Sequence, residues 1–342
     1  MIGKLLRPLF AGLLLAATCH AQAAEPVEKP TLTIAVGGKP LFYYLPLTIA
    51  ERLGYFKDEG LDVTITDFPG GSKALQSLMG GSADFVSGAY EHTINMQAKG
   101  QAIKSVVVQG RYAGIVLGLA KDKAAQYKSP KDLKGLKIGV TAPGSSTNMF
   151  VNALLAKDGL KPDAVSIIGV GATAGAVAAM QKHNIDAIAN LDPVINLLEV
   201  GGDMTTVVDT RTLEGQKYVY GLDYAAGVIY SREDFIQKNP KTVQAVVNAM
   251  VRALRWIQKA SPEQIVATVP PEYYGDAKAM YRVALGKNFA AFSPTGEMTM
   301  AAAKNVYGVL QSFEPSVQAA GKIDLARTFD NGFVEKALKK YK

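Results

Sequence analysis

Val63-Thr64-Ile65, Gly71, Leu75, Leu78 and Ala83-Asp84 recur 102 residues later as Val165-Ser166-Ile167, Thr173, Val177, Met180 and Ile185-Asp186. Each copy reads as a strand, a loop, a helix, a short turn and a strand bearing an Asp. Short β-branched runs mark the strands, and apolar steps of four then three mark the helix. Two βα units often match by chance. A register held without a gap across more than twenty positions instead points to two related α/β lobes.

The surrounding sequence extends the pattern. A strand-loop-helix unit precedes each copy, Leu32 to Gly38 in the first and Leu136 to Gly144 in the second. Thr31 to Val36 reads as a buried strand. Pro46 to Glu59 reads as one helix, with Leu45, Ile49, Leu53 and Phe56 on one face and Gly60 as its stop. Strands near Leu61 to Thr66, Asp84 to Ser87 and Ile103 to Val108 follow. This alternation predicts parallel sheets with crossover helices.

Arg111-Tyr112-Ala113-Gly114 leads towards a strand at Ile115 to Ala120, and Tyr224 to Tyr230 leads back. The expected division is therefore 31–112 for the first part of lobe 1, 113–225 for lobe 2, and 226–342 for the rest of lobe 1 with C-terminal helices. Val243, Val246, Val247, Met250, Leu254 and Ile257 recur at helical spacing, with Trp256 alongside. That stripe reads as core.

Residues 1–23 read as a signal peptide. Lys4 and Arg7 form a basic start, Leu9 to Ala17 is a short apolar run, and Ala21-Gln22-Ala23 offers a small-x-small cleavage site. The run is shorter than the roughly 20 residues of a membrane span. Cys19 raises a rival, a lipid anchor, but the preceding Ala16-Ala17-Thr18 fit that processing poorly. Cys19 is the sole cysteine, and about 320 remaining residues bury enough core without disulfides.

The net charge of +7 loses two units with Lys4 and Arg7. Its scattered basic residues lack the clusters of a nucleic-acid surface. Past the leader only His92 and His183 remain, far apart and with no cysteine or HExxH motif. The chain has no Walker loop, no GxGxxG opening the first helix and no GxSxG elbow. No cofactor is expected, and an enzyme is the weaker reading.

In open α/β sheets, ligands sit beyond the carboxyl ends of strands, where helix N-termini offer unpaired N–H groups. Gly70-Gly71-Ser72 precedes one such helix, and Pro143-Gly144-Ser145-Ser146-Thr147 precedes another. Either loop alone reads as a helix cap. Their equivalent places in the two lobes suggest a shared cleft.

Phe42 and Tyr43 in the first strand-to-helix loop, Tyr90, and Tyr224 at the return connection supply aromatic faces with polar tips. Glu91 and Asp192 are cleft candidates that also suit capping. Lys39, Thr173 and Asn190 complete the candidate set, and Lys39, Lys73 or Arg111 would counter an anion. The 102-residue offset pairs Gly71-Ser72 with Thr173-Ala174 and Tyr90 with Asp192.

The run Tyr44, Pro46, Ala50, Glu51, Gly54-Tyr55-Phe56 and Glu59-Gly60-Leu61-Asp62-Val63 resembles the opening of the nitrate/sulfonate/taurine-type solute-binding proteins, related to the NMT1/THI5-like group. Gly81-Ser82-Ala83-Asp84-Phe85, Asp132 through Val140, and Gly159-Leu160 are similar to the same family. The resemblance implies a type II periplasmic-binding-protein fold, two lobes joined by two crossover segments and closing on a ligand.

It further implies a monomer in the periplasm that hands a small molecule to the permease and ATPase of an ABC importer. Sulfonates, nitrate-like anions, thiamine-pyrimidine compounds, nitriles and aromatic acids all fit the family. The aromatic loop favours an organic solute. A sensor subunit docking on a membrane receptor and an enzyme on the same fold remain as alternatives.

Overall fold

Asp84 and Asp186, the last shared residues of the repeated pattern, make the same bonds in both halves. Asp84 accepts from the Thr33 N–H through Oδ2 and donates its own N–H to the Thr33 carbonyl. Asp186 does the same with Lys137. Each carboxylate ties the start of one strand to its parallel neighbour.

The computed structural model describes residues 26–221 and 223–341; the expected signal peptide and Cys19 lie outside them. The strands are β1 (Thr31–Val36), β2 (Asp62–Asp67), β3 (Phe85–Ala89), β4 (Ile103–Val108), β5 (Val116–Leu119), β6 (Lys137–Val140), β7 (Ser166–Gly169), β8 (Ala187–Asn190), β9 (Thr205–Asp209) and β10 (Gly227–Arg232). They form two five-stranded sheets, ordered β2-β1-β3-β10-β4 and β7-β6-β8-β5-β9.

β1 pairs in parallel with β2 and β3, as β6 does with β7 and β8. The expectation of parallel sheets needs one correction in each. β10 runs antiparallel to β3 and β4, and β5 antiparallel to β8 and β9. These strands enter from the opposite lobe, so they start at the cleft where their neighbours end. That reversed entry fixes their direction.

The helix expected over Pro46 to Glu59 is two, Leu45–Arg52 and Tyr55–Asp58. Gly54 between them sits at φ 74, a left-handed value that L-residues avoid and that interrupts the helix. Helix Pro240–Lys259 buries Val243, Val246, Val247, Met250, Leu254 and Ile257. Each such apolar side chain contributes about 1.5–3 kcal/mol. No described helix is long and apolar enough to cross a membrane.

The C-terminal helices also touch the second lobe. Helix Lys278–Asn288 packs on Val194–Gly201, and Met300–Gln311 packs on both Glu91–Ala98 and Ser146–Lys157. The last third of the chain therefore straddles the two sheets.

Candidate functional site

The two Gly/Ser loops meet each other across the cleft. The Ser72 N–H donates to Ser145 Oγ at 3.0 Å, and Ser72 Oγ donates to the Pro143 carbonyl at 2.8 Å. Glycine permits this approach. A Cβ on Gly70 would lie 2.8 Å from the Ala142 Cβ, and one on Gly38 2.4 Å from the Ala172 Cβ. The Phe42 N–H donates across to the Asp192 carbonyl at 3.1 Å.

His92 seals the same seam. Its Nε2 lies 3.3 Å from the Gly144 carbonyl and its Nδ1 3.0 Å from the Tyr230 hydroxyl. A carbonyl only accepts, so Nε2 carries the proton and Tyr230 donates to Nδ1. Burial lowers its pKa to about 4, leaving the ring neutral.

Near the two crossing segments, polar groups from both sides gather. Tyr43 comes from the first strand-to-helix loop and Glu91 opens helix Glu91–Ala98. Gln216 and Tyr220 lie one turn apart on helix Leu213–Tyr220, and Tyr224 follows on the return crossover. The Tyr224 hydroxyl donates to Glu91 Oε1 at 2.7 Å, and its ring stacks on Tyr220 with centroids 4.2 Å apart. Gln216 Oε1 accepts from the Ala113 N–H at 3.2 Å. Tyr43 and Ala113 both line a small recess together with Phe42, Leu191, Asn288 and Phe292.

This group holds unspent hydrogen-bonding capacity. Among the described residues, Tyr43 Oη, Glu91 Oε2, Gln216 Nε2 and Tyr220 Oη are buried and have no partner. Unpartnered buried polar atoms are rare in proteins and costly. Burial pushes the Glu91 carboxyl up to about 7, with its own backbone N–H and then the Tyr224 hydroxyl pulling the other way.

The remaining expected site residues are engaged elsewhere. Lys39 pairs with Glu51 at 2.8 Å. The Tyr90 hydroxyl bonds Thr328 Oγ1 at 2.5 Å inside the first lobe. Thr147 Oγ1 bonds Thr141, and the Asn190 amide bonds the Gly171 carbonyl and Leu191 N–H. Thr173 is an exposed cap residue of helix Ala174–Gln181. Gly71 is buried behind Ser72, and Ser146 lies in the first turn of its helix.

Asp192 accepts from Arg211, Asn288 and the Asn196 N–H. The side chains of the matched pair Tyr90 and Asp192 are thus both bonded within the protein. The offset also places Pro193 opposite Glu91, so the second lobe has no counterpart to that carboxylate.

Glu91 and Tyr224 bond each other, and Phe42 and Tyr43 share the small recess. Gln216, Tyr220 and His92 were not anticipated. The Gln216 and Tyr220 spacing of four, just before the crossover, was the available signal. Three cations among the described residues bond outside the cluster. Arg211 binds Asp192, Glu199 and Asp209, Arg111 donates to the Ala290 carbonyl, and Lys73 reaches Gln76.

Known proteins share this framework. The NMT1/THI5-like family model matches residues 42–265. The nitrate/nitrite binding protein NrtA of Nostoc sp. is 25% identical over 73% of this chain and 59% of its own length. A 4-amino-5-hydroxymethyl-2-methylpyrimidine phosphate synthase of Saccharomyces cerevisiae is 24% identical over 66% of each chain. The chain thus spans under two thirds of these relatives. A solved structure from Bordetella bronchiseptica RB50 is 52% identical, with a TM-score of 0.89 over 93% of this chain and 99% of that one. The alkanesulfonate-binding protein SsuA of Xanthomonas axonopodis, bound to MOPS, shares the fold at 19% identity, with a TM-score of 0.70 over 91% of this chain and all of that one. The chain belongs to the NMT1/THI5-like family and has its two-lobed periplasmic-binding-protein fold.

Proposed function

We propose that this chain is an exported, monomeric solute-binding protein that holds a small organic molecule between its lobes and delivers it to the permease and ATPase of an ABC importer. One observation carries the reading. Tyr43 and Glu91 converge with Gln216, Tyr220 and Tyr224 at the crossing segments, where buried polar atoms lack partners among the described residues. A cleft that closes by hinge motion brings such groups onto a ligand from both sides. The names of the nitrate/nitrite and alkanesulfonate binding proteins support transport in preference to turnover.

The test is uptake. Proteoliposomes containing the cognate permease and ATPase should accumulate the solute only when the binding protein is added, and the solute should be recovered chemically unchanged. Conversion of solute by the isolated protein would replace this reading with an enzymatic one.

A further inference from the structure

We propose that Glu91 sets specificity, selecting a flat solute that presents an N–H donor edge, such as an amidine or a ring-borne amine, and turning away oxyanions. This rests on the solute-binding reading and names its solute class.

Glu91 is 2% exposed. One oxygen accepts from Tyr224 at 2.7 Å and the other has no partner among the described residues. A buried carboxylate needs donors, and a stranded lone pair calls for an N–H or a cation. Among the described residues, no lysine or arginine bonds it. The groups around Glu91 are the hydroxyls of Tyr43, Tyr44, Tyr220, Tyr224 and Tyr230, all with pKa values raised by burial, and the neutral His92.

An oxyanion at this place would face a carboxylate, and among the described residues no guanidinium or ammonium bonds into the cluster. Arg211 and Lys39 are held in ion pairs, and the exposed Arg111 donates its Nε to the Ala290 carbonyl. Like charges at short range in a dry site repel strongly. An amidine or aminated ring instead donates to Glu91 Oε2, while its flat face suits the rings of Tyr43, Tyr220 and Tyr224 around the carboxyl.

The experiment is calorimetry on the full exported chain with matched single-ring probes, at pH 8. Benzamidine and benzylamine carry the donor; benzoate and benzenesulfonate have similar size with an oxyanion; nitrate is the small anion. The donor probes should bind, and the oxyanions should bind at least tenfold more weakly. Glu91→Gln is nearly isosteric and should lose at least tenfold for benzamidine, with an unchanged circular dichroism spectrum. Tighter binding of benzoate, benzenesulfonate or nitrate than of benzamidine would overturn the proposal while leaving solute binding intact. Undiminished benzamidine affinity in Glu91→Gln, or no binding of either donor probe at millimolar concentration, would overturn it too. Failure of the solute-binding reading itself would show separately, as no uptake in proteoliposomes.

Discussion

The Tyr224 hydroxyl donates to Glu91 Oε1 at 2.7 Å, joining the return crossover to the first lobe across 133 residues of sequence. Tyr224→Phe keeps the ring on Tyr220 and removes only the donor. The stranded carboxyl should cost about 1–3 kcal/mol of stability. Its pKa should rise further, because the lost hydrogen bond favoured the charged form. Urea unfolding and a carboxyl NMR titration check both effects.

Glu91 should also make the ligand-free protein less stable as pH rises. Its carboxyl sits near 7 when folded, against an ordinary 4.5. Between those values the folded state holds the proton and the unfolded state has released it, so stability falls with pH across that window and is level above it. The total effect is on the order of 3 kcal/mol at 1.36 kcal/mol per pKa unit. Urea midpoints at pH 5 and 7.5 for wild type and Glu91→Gln isolate the effect. Parallel pH dependence in the two proteins would assign it to other groups.

Arg211 should prove structural. Its guanidinium binds Asp192 at 3.1 Å, Glu199 at 2.6 Å and Asp209 at 2.7 Å, and Asp192 is fully buried. Arg211→Ala strands that carboxylate, and losing one partner of a buried pair typically costs 3–5 kcal/mol. Chemical denaturation should show a clear loss. Stability near wild type would mean that Asp192 finds water or takes up a proton at little cost.

Closure should depend on Gly70. Its backbone is extended, at φ −171, so any residue fits its conformation. A Cβ there would press on Ala142 of the other lobe at 2.8 Å. Gly70→Val should therefore hold the lobes apart while each lobe folds normally. Cutting the closed population to a tenth weakens apparent affinity about tenfold. Small-angle scattering should show wild type contracting with ligand and the variant contracting less. Identical radii and affinities would show that the loops slide past each other.

The sequence by itself determined the architecture. β-branched runs, helical apolar spacing and the 102-residue repeat are local signals, and they placed β1 and β4 to the residue. The family motifs were legible for the same reason, since residues such as Gly54 and Gly60 serve turns within a few positions of themselves. Phe42, Tyr43, Glu91 and Tyr224 could be named because loops after strands and crossover segments border a cleft.

Only the tertiary structure decided which polar groups were free. Glu91 and Asp192 are both carboxylates following a strand, and no local feature ranks them. Packing gives Asp192 the side chains of Arg211 and Asn288, and gives Glu91 the side chain of Tyr224. The Asn288 and Tyr224 contacts span 96 and 133 residues. Desolvation and unspent lone pairs depend on everything that surrounds a group in space, which its sequence neighbours do not specify.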